Sequence, residues 1–120
     1  MPDRGAIVEA VKAYCQTESV KDRAGWMALF SPDIVHEDPV GYATRRGFDG
    51  IGELWKMIVA SDVDLRLIDE VIVCGNEAIG IMESLTGPVD ARRKTGPIID
   101  HFTFDGAGKI TGLRAFYNFG

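Results

Sequence analysis

Apolar side chains recur every three or four positions through the first half of the chain and every second position afterwards, a change of period that puts helices first and strands later. Between Arg4 and Thr17, Ile7, Val11 and Tyr14, with Ala10 beside them, share one helical face. Glu9, Lys12 and Gln16 lie off it, which predicts an amphipathic helix with Asp3 placed to cap it. A second, short helix from Asp22 to Phe30 turns Trp26, Leu29 and Phe30 inward and leads through Ser31, Pro32 and Asp33 into a strand. On that strand Ile34, His36 and Asp38 share one face, while Val35 and Glu37 share the other, so Glu37 and Asp38 do not work as a pair. Pro39 cannot donate to a ladder and stops the strand with Asp38 at its rim. The stretch from Gly41 to Gly47, with Arg45 and Arg46, reads as a solvated loop. Asp49 to Ala60 reads as a third helix, with Ile51, Leu54, Trp55 and Ile58 at helical spacing although Gly50 and Gly52 weaken its start.

From Leu65 the period is two. Leu65 to Cys74 and Glu77 to Thr86 are strand-like runs joined by Gly75 and Asn76, a hairpin signal. The second run carries Ala78, Gly80, Met82 and Ser84 on one face, small enough to line a hollow, and Ile79, Ile81 and Leu85 on the other. A loop from Gly87 to Gly96, with Arg92, Arg93 and Lys94, precedes a strand from Ile98 to Phe104. Its alternation sets Ile98, Asp100, Phe102 and Phe104 against Ile99, His101 and Thr103. Asp105 to Lys109 is a turn without a phosphate-loop pattern, and a last strand runs from Ile110 to Phe119 with Leu113, Ala115, Tyr117 and Phe119 on one face. Helices first and mostly hairpin-linked strands after define an α+β class, with an antiparallel sheet curled over the helices. The open end of such a sheet is a concavity suited to a ligand.

Composition narrows the partners. At 120 residues, with 46% hydrophobic and 26% charged residues, the chain fits one soluble domain, residues 1–120. A formal net charge of −5 argues against nucleic acid and anionic membranes and favours a small-molecule partner. Cys15 and Cys74 stand far apart and outside metal-ligand spacing, so neither a disulfide framework nor a zinc site is expected and a reducing cytoplasm is. Asp3, Arg4, Glu9 and Lys12 interrupt the N-terminus too early for a signal-peptide core, and no apolar run reaches membrane-spanning length.

Three residues carry candidate chemistry. Tyr14 lies on a buried stripe, so its hydroxyl must meet a partner or face a cavity. Asp38 at a strand rim can reach a ligand, although Asp-Pro-Val-Gly is also ordinary turn chemistry. Asp100 shares its face with two phenylalanines, and desolvation there favours the protonated acid.

Together these residues resemble the bacterial Δ5-3-ketosteroid isomerases of the nuclear-transport-factor-2-like (NTF2-like), or SnoaL-like, superfamily. The resemblance extends through the Tyr14 helix, ALFSPDIVHEDPVG, GFDGIGELW and IIDHFTFDGAGKITGLRAFY, most of the chain. It implies an NTF2-like cone in which a curved sheet wraps three N-terminal helices around an open apolar pocket, often in a homodimer. It also implies that Asp38 is the general base and that Tyr14 and a protonated Asp100 form the oxyanion hole; a neutral aspartate is an established property of that family rather than a deduction from this sequence. Trp55, Met82, Phe102, Leu113, Ala115 and Tyr117 are then expected to line a slot for a flat, steroid-like ligand. Moving a double bond next to a ketone requires a base and oxyanion donors but no metal or organic cofactor. Two positions depart from the family pattern. Trp55 stands where many members carry a tyrosine bonded to the oxyanion-hole tyrosine, and His36 occupies a strand position that is usually small and apolar. A polyketide cyclase or epoxide hydrolase would keep an acid or base aspartate without needing both donors, and a non-catalytic binding or dimerisation module would need no ionisable group inside the cone.

Overall fold

A computed structural model describes residues 2–119, in the order α1 (Arg4–Ser19), α2 (Arg23–Met27), β1 (Phe30–Glu37), β2 (Thr44–Arg46), α3 (Gly47–Ser61), β3 (Asp64–Leu67), β4 (Ile72–Cys74), β5 (Glu77–Thr86), β6 (Arg93–Phe104) and β7 (Ile110–Phe116). The Asp3 carboxylate caps α1 by accepting from Ala6 N at 2.7 Å, and Asp22 caps α2 in the same way from Gly25 N at 3.0 Å. Helix α3 ends at Asp62, whose left-handed backbone turns the chain into β3. One sheet in the order β2-β1-β7-β6-β5-β3, with β4 also paired to β5, wraps the helices.

The α+β cone is as the sequence implies, but several details differ. The pair β1 and β7 is parallel, so the sheet is mixed rather than purely antiparallel. Helix α2 stops at Met27, and Phe30 already belongs to β1, because the backbone of Ile110 bonds to Leu29 and draws the chain into the sheet. Arg45 and Arg46, expected in a loop, lie in β2 beside β1. The run expected from Leu65 to Cys74 divides into β3 and β4, both on β5. Strand β6 begins at Arg93 rather than Ile98, within the stretch read as a loop, and β7 ends at Phe116 rather than Phe119. Arg92 is not merely solvated: its guanidinium donates to the carbonyls of Gly87 and Leu85 and lies 3.5 Å from Asp62.

The core follows the predicted faces. Ile7, Val11 and Tyr14 of α1 pack with Ile51, Leu54 and Trp55 of α3 against Met82, Phe102, Phe104 and Leu113 of the sheet. Gly80 allows this approach: a Cβ there would meet Met82 Cε at 2.6 Å and Val11 Cγ1 at 3.3 Å.

Candidate active site

The site is assembled from the sheet register outward. Asp100 on β6 lies opposite Gly80 on β5 and Ala115 on β7, so both strand neighbours leave room around its carboxyl. The turn after β1 is tied to the same place, since Val40 N donates to the carbonyl of Ala115 at 3.0 Å. That bond brings Asp38, just past the end of β1, toward the Asp100 level of the sheet. Tyr117, beyond β7, donates its hydroxyl to Asp38 Oδ1 at 3.1 Å. Tyr14 approaches from α1, with its ring edge-on to Phe102 at 5.4 Å.

Tyr14, Asp38 and Asp100 line one cavity of about 260 Å³, close to the lower end of small-molecule sites at about 300 Å³. Helix α3 supplies Leu54, Met57 and Ile58 to its wall, and Leu65, Ile98 and Ala115 complete an apolar lining. Ser84, Thr86 and Thr95 add a polar strip where β5 meets β6. Of the residues expected in the slot, Ala115 and Tyr117 line the cavity. The other four, Trp55, Met82, Phe102 and Leu113, lie in the core behind it. Trp55 packs on Trp26 at 5.0 Å, and Met82 Sδ lies 3.7 Å from Cys15 Sγ.

Burial sets the protonation of the site. Asp100 is 4% exposed, and desolvation, reinforced by the charges of Asp38 and Glu18, pushes its carboxyl well above the usual range. Desolvation also raises Asp38, but the Tyr117 hydrogen bond and the charge of Arg45 oppose the rise. Tyr14 is pushed up by burial and then by nearby Glu18 and Asp100, so it remains a phenol and a donor. His36, on the Asp38 face of β1, is fully buried with both ring nitrogens unpartnered; desolvation, with Arg45 beside it, lowers it to about 4. It does not line the cavity.

The sequence does not single out the α3 residues or the Ser84, Thr86 and Thr95 strip as lining, nor one further acid of the cavity, Glu18. It is 5% exposed on α1 and held at about 7, raised first by desolvation and then by Asp38. Tyr14 and Trp26 pull it back down, yet Glu18 Oε1 and Trp26 Nε1 each lack a hydrogen-bond partner, so no bond is formed between Trp26 and Glu18. Its signal was present in the spacing, four positions after Tyr14 and seven after Val11, once the helix is carried past Thr17. Among the described residues no group of three His, Cys, Asp or Glu stands close enough to hold a metal, and no helix is long and apolar enough to cross a membrane.

This architecture is a helix-lined cone holding a small, acid-bearing cavity. Residues 11–113 match the SnoaL-like domain, and the chain belongs to that family. It is 33% identical over 108 residues to the steroid Delta-isomerase of Nocardioides simplex, covering 90% of this chain and 86% of that protein. The fold is shared with the epoxide hydrolase/cyclase-like enzyme SalBIII of pyran ring formation in polyether salinomycin, at 23% identity and a TM-score of 0.89 over 98% of this chain and 95% of that one. It is also shared with a Mycobacterium tuberculosis protein in complex with estradiol-17beta-hemisuccinate, at 21% identity and a TM-score of 0.84 over 94% of each chain.

Proposed function

We propose that this protein is a steroid Δ-isomerase that moves the Δ5 double bond of a 3-ketosteroid to Δ4. The observation that carries this reading is one cavity lined by Asp38, whose carboxyl accepts from Tyr117, and by two buried groups that desolvation pushes toward their protonated forms, Tyr14 and Asp100. Asp38 takes a proton from the carbon between ketone and alkene, and charge moves to the ketone oxygen. Tyr14 and neutral Asp100 each donate a hydrogen bond to that oxygen, and Asp38 returns the proton at the far end of the conjugated system. A carboxylate suits a base that must release what it takes. Tyr117 orients it, and its hydrogen bond keeps the carboxylate form available in a buried site. The identity to a steroid Delta-isomerase supports the same reading.

Turnover of 5-androstene-3,17-dione, followed as conjugated-enone absorbance, tests it. Wild type should convert the substrate, and Asp38→Asn should fold normally and lose about 100-fold or more in rate. An Asp38→Asn variant retaining more than about a tenth of wild-type turnover would remove Asp38 as the base.

A further inference from the structure

Glu18 is a buried acid in the cavity that the isomerisation just described does not use. It follows Tyr14 by one helical turn on the buried face of α1, so the two side chains are neighbours. Its Oε1 has no hydrogen-bond partner although the residue is only 5% exposed. Facing it are Tyr14 and Cys15 from its own helix, Trp26 from α2, Asp38 from the turn after β1 and Asp100 from β6. Lys21 is the nearest cation to influence it, and the least of the influences, because its ammonium is held by the carbonyls of Ser19 and Val63. A buried carboxyl with no committed cation is more stable neutral.

The donor count then matters. A neutral carboxyl has one hydrogen to donate, a carboxylate has none and only accepts, and a phenol has one. Beside a carboxylate, the single Tyr14 hydrogen is drawn to Glu18. Beside a neutral acid, Tyr14 can accept at its oxygen and direct that hydrogen into the cavity. A Glu18 carboxylate would also oppose negative charge growing on a ligand oxygen in the same low-dielectric site.

We propose that Glu18 is a positioning residue: as the neutral acid it donates to the Tyr14 oxygen and leaves the phenol hydrogen for the substrate ketone, and as the carboxylate it takes that hydrogen away. The proposal rests on the isomerase reading of Tyr14. Burial and the Asp38 charge place the Glu18 transition at about 7, so turnover falls on the alkaline side as Glu18 loses its proton.

The test is the pH profile of kcat/KM on 5-androstene-3,17-dione for wild type, Glu18→Gln and Glu18→Leu, with circular dichroism confirming the fold. Wild type should show an alkaline limb with a midpoint at about 7 and a fall of about tenfold or more. Glu18→Gln keeps a donor that cannot ionise, so it should stay within about threefold of the wild-type maximum and lose the limb. Glu18→Leu should be slower than Glu18→Gln at every pH, mainly in kcat, also without the limb. An active wild type with no such limb, a limb that persists in Glu18→Gln, or equal rates for the two folded variants would each overturn the proposal while leaving the isomerase reading intact. If Glu18→Leu does not fold, the Glu18→Gln profile decides alone. Absence of turnover at every pH in wild type would overturn the isomerase reading and this role together.

Discussion

Asp100 has Gly80 and Ala115 as strand neighbours and phenylalanines two and four positions along its own face, so it is spacious sideways and dry above and below. That environment pushes its carboxyl well above the usual range and favours the protonated acid. Asp100→Asn preserves a donor of similar shape, whereas Asp100→Leu preserves volume and removes it. The asparagine variant should be about tenfold or more faster than the leucine variant and should bind a phenolic steroid more tightly. Equal rates in two folded variants would make Asp100 a structural acid. Tyr14 and Asp100 were legible as buried polar residues because each sits on an unbroken apolar period. Glu18 was not read so, since a glutamate near a helix end reads as solvated even though its spacing from Val11 and Tyr14 puts it on the buried face, where the cavity encloses it. Trp55, expected from the resemblance to line the slot, lies behind the cavity, packed against Trp26 in the core.

The element that carries Tyr14 and Glu18 is anchored at its last turn. Ser19 Oγ accepts from Leu65 N at 2.9 Å and donates to the carbonyl of Leu65 at 3.0 Å, joining the end of α1 to β3. Lys21, with a left-handed backbone, adds its ammonium to the carbonyl of Val63 at 2.5 Å. Ser19→Ala should therefore cost about 1–3 kcal/mol in urea unfolding, since it leaves backbone groups of a buried leucine unpaired. An unchanged unfolding midpoint would mean that water replaces the serine. The same element shows what local sequence can specify: apolar spacing and the Asp3 cap define the helix, but the β3 partner of Ser19 lies 46 residues away. Long-range partners also explain the strand differences. Hairpin logic pairs consecutive strands antiparallel and is silent about β1 lying parallel to β7. The first residues of β6 are polar on both faces, so Arg93 to Thr95 carry no period-two signal, and it is pairing with Ser84, Leu85 and Thr86 that makes them a strand.

Across the whole molecule, packing three helices into one curled sheet buries more ionisable groups than it pairs, and stability should register this as pH changes. Desolvation raises Asp38, Glu18 and Asp100 above their ordinary values, so the folded protein binds protons that the unfolded chain releases. Their contribution is fullest below the unfolded carboxylate range and is lost as pH rises through each folded value. For Glu18 that window runs from 4.5 to about 7 and is worth about 3 kcal/mol. His36 has the opposite sign: lowered from 6.5 to about 4, it withdraws about 3 kcal/mol as pH falls through that window, when the unfolded ring takes a proton that the folded ring refuses. Between the two limits His36 blunts the carboxyl effect, and above 6.5 its effect fades as the unfolded ring also becomes neutral. From there to about pH 8 the buried acids dominate, and the thermal midpoint should fall as pH rises. Asp100→Asn should flatten that decline, and His36→Leu should leave it little changed above 6.5 while steepening it below. A wild-type midpoint that holds or climbs from 6.5 to about pH 8 would show that the cavity acids are ionised in the folded state, and a neutral Asp100 donor would be lost with it.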